Sequence, residues 1–169
     1  MGRTKYDYEP LLPPGRHVMT LWDVERKFVE PLDDRPARQR LYVSLEEMVQ
    51  EFLRASIPCE FLIDGSFVTR KPRPEDVDVA VRVDWDVYDE LTPDQIALVS
   101  RANDPEFLPG LDTFSYVAYP RDHPNRGTAA DDGETWAEQW GSEHSKRWIK
   151  GIAVIRLGET NVGHRLRRT

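Results

Sequence analysis

Between Asp76 and Val83 the chain alternates without a break: Asp76-Val77-Asp78-Val79-Ala80-Val81-Arg82-Val83. Successive side chains in a strand point to opposite faces, so strict alternation marks a strand with one buried face. Val77, Val79, Val81 and Val83 share that face, while Asp76, Asp78, Ala80 and Arg82 share the other. The run commits the chain to a β-sheet. It also sets Asp76 and Asp78 on one side, with Cα atoms roughly 6.5–7 Å apart, twice the rise per residue.

Two carboxylates at that spacing can converge on a pair of divalent ions about 3.5–4 Å apart. Mg²⁺ suits such a site because it takes one or two carboxylates and fills its remaining positions with substrate phosphates and water. With no cation between them, converging carboxylates repel and one pKa rises. Upstream, with nine residues intervening before Asp76, the apolar run Leu62-Ile63 ends in Asp64-Gly65-Ser66. Glycine allows a sharp turn and close backbone approach to a ligand. A short helix starting at Ser66 would turn its free amides and the serine hydroxyl toward an anion. Taken singly, Gly65-Ser66 reads as a strand-ending turn and Asp76-x-Asp78 as a solvated strand entrance. Together, in this order, they read as a place for a nucleoside triphosphate (NTP): a tight turn for phosphates, then carboxylates for metal ions.

The order Leu62-Ile63-Asp64-Gly65-Ser66, then Asp76-Val77-Asp78-Val79, resembles the signature of the DNA polymerase β-like nucleotidyltransferase superfamily. More loosely, Leu11-Leu12-Pro13-Pro14-Gly15, Asp64-Gly65-Ser66-Phe67-Val68 and Lys150-Gly151-Ile152 are similar to a small bacterial and phage branch of it. The resemblance implies nucleotidyl transfer from an NTP to an acceptor with two Mg²⁺ ions, Mn²⁺ being the other candidate. It implies metal binding by Asp76 and Asp78, and phosphate binding by Gly65 and Ser66. It also implies a third carboxylate on a later strand, opposite Asp76 and Asp78, as metal ligand or base for the acceptor hydroxyl. Asp112 is the candidate, heading Asp112-Thr113-Phe114-Ser115-Tyr116-Val117-Ala118-Tyr119, a β-branched and aromatic run that stops at Pro120. The simpler role for Asp112 is capping the Pro109-Gly110 turn.

Other residues suggest contacts to the nucleotide. Arg70, Lys71 and Arg73 lie between the Gly-Ser turn and the carboxylates, where they can hold triphosphate oxygens or remain a solvated basic loop. Lys150, just before an apolar strand, can reach a phosphate and offset charge developing during transfer. Trp136 and Trp140, four apart on one helix face, and nearby Trp148 can stack on a base, although filling a core is the commoner use. His17, His123, His144 and His164 show no ligand spacing.

The remainder predicts one domain over residues 1–169, with an extended arm (1–15) and a basic, mobile tail (158–169). Thr20 caps a helix from Leu21 to about Val29, a proline-bounded break runs from Pro31 to Pro36, and a long amphipathic helix spans Ala37–Ala55. Strands are expected at Pro58–Ile63, Asp76–Val83, Asp112–Tyr119 and Gly151–Leu157. Asp84 and Thr92 open helices, the latter with a capping box to Gln95. Residues 120–133 read as loop and 134–143 as helix. The implied class is α+β: a mixed sheet of about four strands with helices packed mainly on one side. Cys59 is the single cysteine, so no intrachain disulfide can form. No apolar run is long enough to span a membrane and no signal-peptide core is present, so the cytoplasm is expected.

A net charge of -7 disfavours general binding to a polyanion. Two functional readings remain. One is a metal-dependent nucleotidyltransferase acting on an RNA (for example tRNA) or protein hydroxyl. The other is a catalytically weak or inactive nucleotidyltransferase-like binding protein, such as an antitoxin-like partner of a toxin or a phage regulator.

Overall fold

The valines of the alternating run lie at the centre of one mixed sheet. The computed structural model describes residues 8–126 and 151–158. Within them five strands, β1 (Gly15–Val18), β2 (Cys59–Asp64), β3 (Val77–Asp84), β4 (Leu111–Ala118) and β5 (Gly151–Leu157), are ordered β1-β5-β2-β3-β4. β2 runs antiparallel to β3 and β5, while β1–β5 and β3–β4 are parallel pairs. The helices are α1 (Leu21–Phe28), α2 (Arg35–Arg54), α3 (Trp85–Asp89) and α4 (Pro93–Arg101). The α+β class expected from sequence is the class observed, with one strand more than the four expected.

That extra strand, β1, is Gly-Arg-His-Val, largely exposed and without apolar alternation. Its strand state comes from pairing with β5 rather than from its own pattern. Local signals elsewhere act as expected. Thr20 Oγ1 accepts from the Asp23 amide (3.2 Å) and Asp23 Oδ2 from the Thr20 amide (2.8 Å), a reciprocal cap for α1. Thr92 and Gln95 do the same for α4, at 3.3 and 2.8 Å. α2 begins earlier than Ala37 because Pro36 sits in its first turn, where a missing N–H leaves no helical bond unmade. The helix opened at Asp84, α3, is short and ends at Asp89. The described part of the N-terminal arm is docked: Leu12 is buried, the Leu11 amide donates to Val68 O (3.0 Å), and Pro10 bridges Thr69.

The two faces of the sheet differ. On one, Phe61, Ile63, the four valines of β3, Ala153 and Ile155 pack with Val24 and Phe28 of α1 and with Leu45, Met48, Val49 and Phe52 of α2. Phe52 and Phe61 meet edge-on at 5.2 Å between ring centroids, a favoured aromatic geometry. On the other, Leu62, Ala80, Tyr116, Ala118, Ile152 and Val154 form a smaller apolar cluster. All six β2 residues are buried, as suits a central strand covered on both sides. Cys59 lies among them, and burial, helped by Glu60, pushes its thiol pKa up, away from reactive thiolate. No described helix is long and apolar enough to cross a membrane.

Glu60 also belongs to the second face and is buried there among arginines. It accepts from Arg16 Nη2 (2.5 Å) and Arg156 Nε (2.9 Å), with Arg82 Nη1 at 3.7 Å. Burial alone would raise its pKa, but these arginines outweigh that and hold the carboxyl below the usual glutamate range. A depressed folded pKa gives stability that is present above the unfolded value, about 4.3, and lost as pH falls through the folded one. Thermal melts of the wild type and Glu60→Gln from neutral to acid pH should therefore converge. The variant is expected to melt lower near pH 7, with the gap closing below about pH 4. A gap independent of pH would contradict an ionised Glu60.

Candidate functional site

The connection between β2 and β3 brings the two halves of the motif together. After Asp64 the chain turns at Gly65, whose φ of 77° and ψ of -159° fall in a region that glycine alone adopts readily. The short helix expected at Ser66 is a single 3-10 turn, Ser66–Val68, closed by the Thr69 amide (3.1 Å) and hydroxyl (2.8 Å) on Ser66 O. A Cβ on Gly65 would fall on the carboxylate of Asp78, overlapping Oδ2 and Cγ. The Asp78 carboxylate therefore lies directly against the Gly-Ser backbone. Glycine is needed there for its conformation and for the space.

Three aspartates stand in one row across the sheet. Asp64 pairs in register with Asp78, and Asp78 with Asp112. All three sit at positions of the second face, opposite the valines. Asp64 is 3% exposed, Asp78 half-buried and Asp112 exposed. The sequence expects a third acid opposite the Asp-x-Asp pair, and Asp112 occupies that register position. Asp76 differs slightly from expectation. β3 begins at Val77, whose amide bonds Gly110 O (2.9 Å), so Asp76 sits half-buried just ahead of the strand. Sequence reasoning misses Asp64 as a site residue because Asp64-Gly65-Ser66 reads as a turn. Its parity with Leu62 is the available signal.

The loop from Phe67 to Arg73 is fixed from below by Arg38 of α2, which is fully buried. Its Nε donates to both Asp34 oxygens (3.0 and 3.1 Å). Nη1 donates to Phe28 O (3.1 Å) and Phe67 O (2.7 Å), and Nη2 to Thr69 O (2.9 Å) and Lys71 O (2.8 Å). Burial lowers the guanidinium pKa and Asp34 partly restores it. Asp34 Oδ2 also accepts from the amide of Arg73 (2.6 Å), which has a positive φ of 47° between two prolines. From the other side Arg70 is held by the arm: its amide donates to Glu9 O (2.9 Å) and its side chain pairs with Glu9 at 2.9 Å. Arg70 and Lys71 thus sit on a preformed loop leading into Asp76 and Asp78.

Among the described residues no group of three or more His, Cys, Asp or Glu side chains is arranged to hold a metal ion. The donor set nevertheless fits Mg²⁺ bound jointly with phosphate. One or two carboxylates suffice when the ligand supplies oxygens, and the Asp78 carboxylate fills the space a Gly65 Cβ would take. Asp76 and Asp78 would hold the ion. Lys150, Trp136, Trp140, Trp148, His144, His164, the expected helix 134–143 and tail residues 159–169 lie outside the described residues. The described start of the predicted 120–133 loop, residues 120–126, is non-helical as expected, with His123 against the Trp85 and Tyr119 rings.

A family model matches residues 4–156, which include Asp64, Gly65, Asp76, Asp78 and Asp112 and every strand up to Arg156 in β5. The chain belongs to the Family of unknown function (DUF6932). No curated protein and no solved structure matches it. The family's name assigns no activity.

Proposed function

We propose that the protein is a metal-dependent nucleotidyltransferase, moving a nucleoside monophosphate group from an NTP to a hydroxyl acceptor. The observation that supports it best is the Asp78 carboxylate lying against Gly65, which joins the Gly-Ser turn to the Asp-x-Asp pair at one point. In this reading Gly65 and Ser66 receive the triphosphate, with Arg70 and Lys71 on the clamped loop binding its outer oxygens. Asp76 and Asp78 hold Mg²⁺, or Mn²⁺ in its place. Bound cations would offset charge on the phosphates and align the two oxygens of an in-line displacement. The acceptor oxygen attacks the α-phosphorus, the bond to the β-phosphate oxygen breaks, and pyrophosphate leaves. Asp112 takes the hydroxyl proton. RNA and protein hydroxyls both satisfy this chemistry.

A second reading, nucleotide binding without transfer, is favoured by one observation: no three ligating side chains gather among the described residues. An antitoxin-like or phage regulatory role belongs to this reading. Asp76→Asn combined with Asp78→Asn separates the two. The first reading expects wild-type transfer to fall to background in the double variant with the melting temperature retained. Metal-dependent NTP binding by a wild type that transfers nothing would favour the second.

A further inference from the structure

The end of the second sheet face away from the aspartate row carries the opposite charge. Glu60 is flanked in register by Arg82 on β3 and Arg156 on β5, and Arg16 reaches it from the edge strand β1. Arg16 bonds one Glu60 oxygen at 2.5 Å, and Arg156 grips the other through Nε (2.9 Å) and Nη2 (2.8 Å). Arg82 Nη1 stands 3.7 Å from Glu60 and 2.7 Å from Asp84. Two guanidinium groups are thus set side by side on one carboxylate, with a third behind them.

Among the described residues three arginines gather on two carboxylates, Glu60 and Asp84, and Asp84 is more than half exposed, so solvent weakens its share. The Arg16 and Arg156 side chains are 51% and 59% exposed, whereas that of Glu60 is 11% exposed. The anion lies beneath, Arg16 and Arg156 open outward, and Arg82, 22% exposed, lies deeper. Each guanidinium carries five N–H donors, of which Arg16 gives one and Arg156 two to Glu60. Holding like charges together at a half-exposed site gains little as surface ion pairing. It does create a forked donor array matched to the oxygens of a phosphate. In a chain of net charge -7 the described residues of this patch are predominantly basic.

We propose that Arg16, Arg82 and Arg156 form a phosphate-binding site, with Glu60 as the internal counter-ion that fixes their spacing. Asp78 and Arg82 are four residues apart on β3, about 13 Å at the strand rise. The site is therefore separate from the aspartate row and does not depend on the transferase reading. Its ligand chemistry is a phosphate group, carried by a nucleic-acid backbone or free in solution.

The test uses the full chain in EDTA, so that no metal bridges phosphate to the aspartates. Its probes are a labelled single-stranded RNA oligonucleotide and inorganic phosphate. Arg16→Gln with Arg156→Gln is expected to weaken the probe that binds wild type at least tenfold. For RNA, losing two phosphate contacts should reduce the slope of log K against log salt by about 1.4. Arg16→Gln alone leaves Glu60 bonded to Arg156, so the fold is expected to persist with a modestly lowered melting temperature while binding weakens several-fold. RNA binding that excess phosphate barely displaces assigns the site to a nucleic-acid backbone. Phosphate binding without RNA binding assigns it to a free phosphate. Wild type binding neither probe, or a folded variant binding as well as wild type, overturns the proposal.

Discussion

Arg38→Ala is expected to cost about 3–5 kcal/mol, the usual penalty for breaking a buried ion pair by removing one partner. The size follows from what would be stranded. Asp34 loses its guanidinium partner in a largely buried position, and the carbonyls of Phe28, Phe67, Thr69 and Lys71 lose their donors together. A typical domain has about 5–15 kcal/mol in total, so this one contact would remove a large fraction. Lysine cannot substitute well, since an ammonium lacks the planar fork that reaches four carbonyls and a carboxylate. Urea unfolding of the wild type, Arg38→Ala and Arg38→Lys provides the measurement. Faster amide exchange over residues 67–73 should accompany the loss. A penalty below about 1 kcal/mol, the range of an exposed pair, would mean that water reaches these groups and the loop is not clamped.

Gly65→Ala is expected to lose about 2–6 kcal/mol, combining about 1–3 for a residue forced into glycine's backbone region with about 1–3 for overpacking. The second part has a local consequence. The new methyl must displace the Asp78 carboxylate, the group it would overlap. Metal-dependent nucleotide affinity should therefore fall further than stability alone explains. Gly158→Ala is the control, where an added Cβ meets no atom of the described residues within 4 Å and φ is not positive. Equal melting temperatures for Gly65→Ala and Gly158→Ala would show that Asp78 does not rest on Gly65.

Much of this arrangement is legible in the sequence wherever its cause is local. The β3 alternation, the Thr92–Gln95 box and the apolar run at Gly151–Leu157 each specify their element through neighbours in sequence. Elements defined by distant partners are not legible that way. Gly15–Val18 becomes a strand because β5 pairs with it. Arg38 looks like one more charged residue near the start of a helix, yet its carbonyl partners at Phe67, Thr69 and Lys71 lie 29 to 33 residues away. Asp64 joins Asp78 and Asp112 only through strand register. The arginines on Glu60 come from three strands, and no spacing in the sequence connects them. The Gly-Ser and Asp-x-Asp halves are legible as a pair. Their meeting point, the Asp78 carboxylate against Gly65, is set by strand pairing and is not.

Transfer of label to an acceptor tests the central claim most directly. The full chain would be incubated with each NTP radiolabelled at the α-phosphate, with Mg²⁺ or Mn²⁺, and with bacterial RNA and lysate as acceptors. Asp76→Asn/Asp78→Asn, checked for an unchanged melting temperature, serves as control. The account predicts label on an RNA or protein band with the wild type, lost in the double variant and in EDTA. Label that persists undiminished in the folded double variant would contradict it.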